Sequence, residues 1–468
     1  MSTRAMDFDA RRAAVSRRSA RRPVPARPSS PPPRPGIAKT ALVLAGAGLG
    51  AVTALAITDE TTAEFTAAGG QATFLGSLTG LVGTYLALMM VLLISRIPAI
   101  EHVLGQDGLL RWHRRLAPWP ITLLAAHAVF LTVGYAQAAR SGLWHQAGVL
   151  LNQYPDVLIA TFGLGIMCLI GVISLRAIRR RLGRETWWLI HLYMYLALAL
   201  SFAHVLALGP SFVGHPLTRV VWSVAWAASA GLVLCYRFGL PVLRSLRYRL
   251  VVAEVRPEGP GVVSVICSGR NLDKLPVSGG QFFSWRFLAP GLWLQSHPYS
   301  LSALPQPPYL RLTVKAVGGH SAALAVLRPG TKVMMEGPYG AFTRYAQQRP
   351  RTLMIAAGIG VTSLRSLLED LPPDAAPVVL MRASREEDLV LRAEMADLVR
   401  HRSGQLRELV GSRDAAGLTS QSLPWLVPDL LQRDVYICGP EGFVTSVVAL
   451  VRSLGVPDEA IHHEAYAL

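Results

Sequence analysis

Cysteine is scarce. Only Cys168, Cys235, Cys267 and Cys438 occur in 468 residues. They form no CxxC pair and no iron–sulfur spacing, which excludes a disulfide framework and a cysteine-ligated cluster. Charge is scarce too, at 16% of residues against 51% hydrophobic, too little for a soluble protein of ordinary composition. Acids are scarcer than bases, 29 against 46, which leaves a formal charge of +17. Much of that excess sits beside apolar runs, a distribution that points to membrane lipid as a partner and not to nucleic acid.

The first 36 residues, rich in Arg, Pro and Ser, cannot form a core and are expected to be a disordered arm that acts as a topology signal. Six apolar runs follow, near residues 40–58, 73–95, 117–138, 157–176, 186–208 and 218–240. Each is close to the roughly 20 residues that cross a bilayer. The first is near full span length and five more succeed it, so it is expected to stay as a helix and not be a cleaved signal. Arg96, Arg111, Arg114 and Arg115 lie between the second and third runs, and "RAIRRRLGRE" lies between the fourth and fifth, whereas "DETTAEFTAAGGQ" carries no basic residue. The positive-inside rule then puts both termini in the cytoplasm of a multi-pass cell-membrane protein. Trp112, Trp187 and Trp188 fit an interfacial belt on that side.

Two of the runs carry histidines at depth. "RWHRRLAPWPITLLAAHAVFLT" holds His113 and His127, and "WWLIHLYMYLALALSFAHVLALG" holds His191 and His204. Ionisable groups in a bilayer core usually face a cavity, a partner or a ligand. The third and fifth spans run in the same direction, so His113 lies level with His191, and His127 with His204. Two stacked imidazole pairs result, each able to clamp one haem iron from both sides. The step from 191 to 204 misses the same helix face by about 140°, so the fifth span must bend, bulge or present its ligands obliquely. His102, His145 and His215 lack this pairing and stay unassigned.

After "YRFGLPVLRSLRYRL" the pattern changes to short alternating segments bounded by Gly and Pro, the signature of a small antiparallel barrel. From about residue 346 strand-to-loop units and amphipathic helices suggest an α/β nucleotide-binding domain. The expected organisation is therefore multidomain: a basic arm (1–36), a six-helix transmembrane bundle (37–243), an antiparallel β-barrel (244–345) and an α/β domain (346–468). In "HPYSLS", His297 can face a phosphate, Tyr299 can stack on a planar ring and Ser300 can hydrogen-bond a ring nitrogen. Gly318, Gly319 and Ser321 in "VGGHSAAL" open a short helix where free N–H groups attract an anion. In "AAGIGVTS", Gly358 and Gly360 let backbone approach a pyrophosphate, with Thr362 as a further donor. In "MRASREE", Arg382, Ser384 and Arg385 follow a strand where a dinucleotide ribose would lie, and they favour the 2′-phosphate of NADPH over NADH.

From residue 37 onward the chain resembles the ferric reductase and NADPH oxidase superfamily, on the histidine pairs 113/127 and 191/204, "HPYS", "GPYG" at 337–340, "GIGVT" at 358–362, "CGP" at 438–440 and the terminal "HHEAYAL". The resemblance implies FAD, NADPH and two b-type haems, with electrons passing from cytoplasmic NADPH to an acceptor on the far side. It implies that His297, Pro298, Tyr299 and Ser300 hold FAD. It also places Cys438, with Gly439 and Pro440, near the nicotinamide, and Tyr466 against the flavin. The His113/His191 haem would be the inner one and the His127/His204 haem the outer. Two positions depart from the family: Ser363 stands where many relatives have proline, and Leu131 stands where superoxide-forming oxidases have a second histidine. The second departure favours a ferric chelate as acceptor over dioxygen. A superoxide- or peroxide-forming NADPH oxidase and a haem-free flavin reductase on a helical anchor are the alternative enzymes, and a haem-binding membrane scaffold or transporter with a vestigial reductase domain is the alternative from another class.

Overall fold

The computed structural model describes residues 35–97, 100, 106–412 and 417–466. The expected arm thus lies outside the described residues except for Pro35 and Gly36, which begin the first helix. The chain divides into a helical unit, residues 33–240, and a second unit that begins at residue 241.

The helical unit contains α1 (Pro35–Thr58), α2 (Gly70–Ile94), α3 (Gln106–Leu116), α4 (Pro118–Ala138), α5 (Leu143–Gln153), α6 (Val157–Ile173), α7 (Arg184–Leu208) and α8 (Pro216–Leu232). Segments this apolar become helices in lipid because only a helix satisfies its own backbone there. Among the described residues five stretches are long and apolar enough to cross a membrane: Lys39–Thr58, Gly70–Ile94, Gly108–Ala138, Thr186–Leu208 and Pro216–Tyr248. The run expected near 157–176 appears as the shorter α6, which meets α5 at 111°, and the two count together as a sixth, bent candidate.

Of the alternatives for the fifth span, α7 is one unbroken helix from Arg184 to Leu208, which leaves oblique presentation of its histidines. The interruption falls in the third span instead, at Ala117 between α3 and α4. Pro118 starts the new helix there, because proline fixes its own φ and gives up no intrahelical N–H at the first position. Within the unit α2 packs on α1 and α4, and α6 packs on α4 and α7. Among the described residues α4 and α7 share no such packing, and they face each other across the histidines.

The second unit starts with two three-stranded antiparallel sheets. One is ordered β1 (Val251–Gly259), β2 (Val262–Ser268), β5 (Tyr309–Lys315); the other β4 (His297–Ser300), β3 (Phe282–Phe287), β6 (Val333–Tyr339). Single bridges at Val251–Lys332 and Leu301–Leu312 join their corners. Phe283, Trp285, Phe287, Val265, Leu310 and Leu312 fill the shared core, all buried, as alternation along each strand requires. A five-stranded parallel sheet follows in the order β11 (Ile461–Tyr466), β10 (Arg433–Pro440), β7 (Arg351–Ala357), β8 (Val378–Ala383), β9 (Gln405–Val410). Its helices include α9 (Val361–Asp370), α10 (Arg392–Arg400) and α11 (Glu441–Ser453). The strand order reverses between β7 and β10, and in such sheets ligands bind in the crevice beyond the strand ends at that point. Arg311 on β5 holds Glu394 on α10 through two bonds of 2.7 and 2.8 Å, which ties the antiparallel sheets to the parallel one.

Candidate functional site

The helical unit brings the four histidines together as two pairs. The ring centres of His113 and His191 are 6.3 Å apart with planes at 76°, and those of His127 and His204 are 6.2 Å apart at 69°. A metal–imidazole bond of about 2.0–2.1 Å, with the ring centre about 1.1 Å beyond the nitrogen, would set two axial rings about 6.3 Å apart. Both pairs match that spacing.

The ring nitrogens fit the same picture. His127 Nδ1 lies 2.8 Å from the Gly76 carbonyl oxygen, so Nδ1–H donates to it and Nε2 is left as the ligating atom. Gly80 makes this seat possible: a Cβ there would lie 2.5 Å from His127 Nδ1. His191 Nδ1 and His204 Nδ1 are buried without a hydrogen-bond partner. Gly76 and Gly80 were not among the expected site residues. Their four-residue spacing, the small-xxx-small pattern of close helix packing, was the available signal.

In the second unit the two motifs that flank the sheet reversal converge. Gly358 has φ +53 and open space where a Cβ would stand. A Cβ at Gly360 would lie 2.3 Å from the Cys438 carbonyl oxygen, so only glycine lets this turn lie against the end of β10. Cys438 is fully buried. Burial, with the Glu464 carboxylate adding to it, pushes its thiol far above the ordinary range. Ser363 donates to Ser300 Oγ at 2.9 Å and stands 2.5 Å from Tyr466 Oη, which in turn lies 3.4 Å from Cys438 Sγ. Ser300, Ser363, Tyr466 and Cys438 thus form one hydrogen-bonded row.

Other expected residues are placed differently from one another. Tyr299 and His297 stack nearly parallel at 6.2 Å, and His320 lies 3.7 Å from the His297 ring with its Nδ1 3.3 Å from Tyr299 Oη. His320 was not expected, since a histidine inside a glycine turn gives no periodic signal. Pro298 pairs with Ser284 on the neighbouring strand. Gly318 and Gly319 have open space above them, but the Ser321 hydroxyl is occupied, accepting from Val317 N at 2.9 Å and Gly318 N at 3.1 Å. Thr362 Oγ1 donates back to the Ile359 carbonyl at 2.9 Å. Arg382 is pinned to the carbonyls of Ala383, Leu409 and Gly411. Arg385 is 66% exposed and paired with Glu387 at 2.6 Å and Asp388 at 3.3 Å, beside the exposed Ser384. Gly439 and Pro440 continue β10 against Ala465 and Tyr466.

The chain thus joins a set of membrane-length helices to two antiparallel sheets and a parallel sheet with a strand-order reversal. Residues 79–202 match the family described as ferric reductase like transmembrane component. The second half is similar to ferredoxin–NADP reductase B of Sorangium cellulosum, with 31% identity over 46% of this chain and 96% of that protein. It is also similar to a flavohemoprotein of Bacillus subtilis, with 27% identity over 46% of this chain, which spans 58% of that protein's length. Among solved structures, the flavohem-like FAD/NAD binding domain of nitric oxide dioxygenase from Vibrio cholerae has 23% identity and a TM-score of 0.40, over 47% of this chain and 98% of that one. The second half belongs to the ferredoxin–NADP reductase family, and its fusion to a ferric reductase like transmembrane component matches the architecture of the ferric reductase and NADPH oxidase superfamily.

Proposed function

We propose that this protein is a transmembrane flavocytochrome b that moves electrons from cytoplasmic NADPH, by way of FAD and two b haems, to an extracytoplasmic acceptor, a ferric chelate. The observation that carries the proposal is the pair of histidine couples at 6.3 and 6.2 Å. FAD, when bound, divides the two-electron chemistry of a nicotinamide into the single-electron steps that haem iron accepts.

The chain's own residues supply the rest. His113 with His191 would hold the inner haem, and His127 with His204 the outer, six spans placing the second pair further along outward-running helices. The Gly76 carbonyl fixes the His127 tautomer. His297, Tyr299 and Ser300 offer a charge, a ring face and a hydroxyl to FAD. Gly358 and Gly360 admit a pyrophosphate against α9, and Arg385 with Ser384 offers the 2′-phosphate its partners. The relative named as a ferredoxin–NADP reductase supports NADPH as donor. Cys438 stays a neutral thiol beside the reacting ring, so it contributes packing and polarity and not a charge. The basic clusters at Arg111–Arg115 and Arg176–Arg181 support a cytoplasmic reductase module and cytoplasmic termini.

Sealed cells supplied with a membrane-impermeant ferric chelate test the whole assignment. Reduction outside is expected in the wild type and is expected to vanish in His204→Ala, while NADPH oxidation with a soluble dye persists. Equal chelate reduction without the outer ligand would leave a flavin reductase on a helical anchor.

A further inference from the structure

The four histidines are not all held alike. A backbone carbonyl orients His127 at 2.8 Å, whereas His191 Nδ1, like His204 Nδ1, is buried without a partner among the described residues. A ligating imidazole normally gives its second nitrogen to a carbonyl or carboxylate, which fixes the ring plane. The last torsion of histidine is broad, so a ring without that bond needs another restraint.

Trp187 is that restraint. It stands one turn before His191 on α7, on the same face. Its ring centre is 4.9 Å from that of His191 with planes 27° apart, a stacked contact. The indole is itself fixed, because Nε1–H donates to Ser174 Oγ at 3.2 Å, at the C-terminal end of α6. The exposed Arg179 lies over the same indole, its guanidinium carbon 4.4 Å from the ring centre. Tryptophan is the aromatic that holds a cation best. Anchoring at a membrane interface requires neither a ligand ring on the indole nor a cation over it.

We propose that Trp187 and Arg179 are positioning residues for the inner haem: Trp187 sets the plane of His191, and Arg179 places a positive charge beside the ligand stack that favours the reduced iron. The inference rests on the haem assignment above. A cation near a haem stabilises its electron-rich state, because the iron loses a net positive charge on reduction. The inner haem thereby becomes the readier acceptor of electrons from the flavin side.

The full-length, haem-loaded protein carries the test, read by ferric low-spin EPR and by potentiometric titration of the Soret band. Trp187→Leu is expected to shift the EPR signal of one haem only, and Trp187→Phe to restore most of it. Arg179→Gln is expected to lower the midpoint potential of that same haem, with Arg179→Lys restoring it. His191→Ala identifies the affected haem as the one it removes. Arg179 is exposed, so its variant remains informative if Trp187→Leu fails to fold. Wild-type signals and potentials in both Trp187→Leu and Arg179→Gln, with both haems bound, would overturn the inference alone. A wild-type protein that binds FAD and no haem would overturn the haem assignment itself and this inference with it.

Discussion

The hydroxyl of Ser363 stands 2.5 Å from the phenol of Tyr466, and because Ser363 gives its own proton to Ser300 at 2.9 Å, the phenol is the donor between them. A proline at 363, as many relatives carry, would break this row, so here the last strand is hydrogen-bonded to the helix after the glycine turn. Ser363 is fully buried. Replacing it with alanine leaves the Tyr466 hydroxyl short of its acceptor, and an unmet buried polar group costs ~1–3 kcal/mol. Ser363→Ala should destabilise the reductase module by that order, read from flavin fluorescence released during urea unfolding. An unchanged midpoint would count against the role given to this row.

The histidine pairs predict which variants lose the same cofactor. His127→Ala and His204→Ala should each remove one haem, and His113→Ala and His191→Ala the other, measured as haem per flavin. The ring planes, at 76° and 69°, are closer to perpendicular than to parallel. Both ferric haems should therefore show strongly anisotropic low-spin EPR signals and not the rhombic spectra of parallel ligands. Four variants with four unrelated haem contents would exclude shared ligation.

For the nucleotide, the two arginines separate. A charge-assisted bond to the 2′-phosphate is worth roughly 1.5–3 kcal/mol, but Arg385 is exposed and must first leave Glu387, which subtracts up to about 1 kcal/mol. Arg385→Ala should thus lower the NADPH over NADH preference about tenfold in kcat/KM. Glu387→Gln should move it the other way by leaving the guanidinium held by Asp388 alone. Arg382 is bonded to three carbonyls. Its alanine variant should lower stability and leave the preference intact, and a reversed pattern would exchange their roles.

Burial raises both module cysteines. Cys267 is pushed up to about 12 by burial, and Cys438 is raised further by burial and then by Glu464. An unfolded thiol ionises near about 8.5, so the stabilisation from keeping both protonated is complete below that pH and is lost as pH climbs above it. Unfolding midpoints should fall progressively above about pH 9, and Cys438→Ser should flatten part of that slope. Rapid alkylation of Cys438 at neutral pH in the folded protein would contradict its burial.

Hydropathy and spacing made the helices, the paired histidines and the α/β character of the last domain legible, because each is a one-dimensional pattern. Gly360 was legible for the same reason, since a glycine between a strand and a helix has few other uses. What lay beyond reach were contacts between residues far apart in sequence. Nothing local says that Ser321 closes its own turn, that Arg382 faces carbonyls of the next strand, or that His320 lies on His297. The phase mismatch at His191 and His204 was legible, but not its outcome, because Pro118 interrupts the neighbouring span while α7 stays whole. The stack of Arg179, Trp187 and His191 spans two helices and escapes any single periodicity.

The unpacked space between α4 and α7 bears on how the protein is made. The two helices meet through the His127 and His204 rings and through α6, which packs on both, and in lipid no hydrophobic force draws them closer. On the proposed haem assignment, haem delivery becomes a step of assembly: binding to the paired form and not to the separated helices would stabilise it by mass action. Cells short of haem should accumulate chains whose third and fifth spans are less firmly held against each other and more open to proteolysis. Supplying haem during synthesis should raise the yield of intact protein, independently of any electron it later carries.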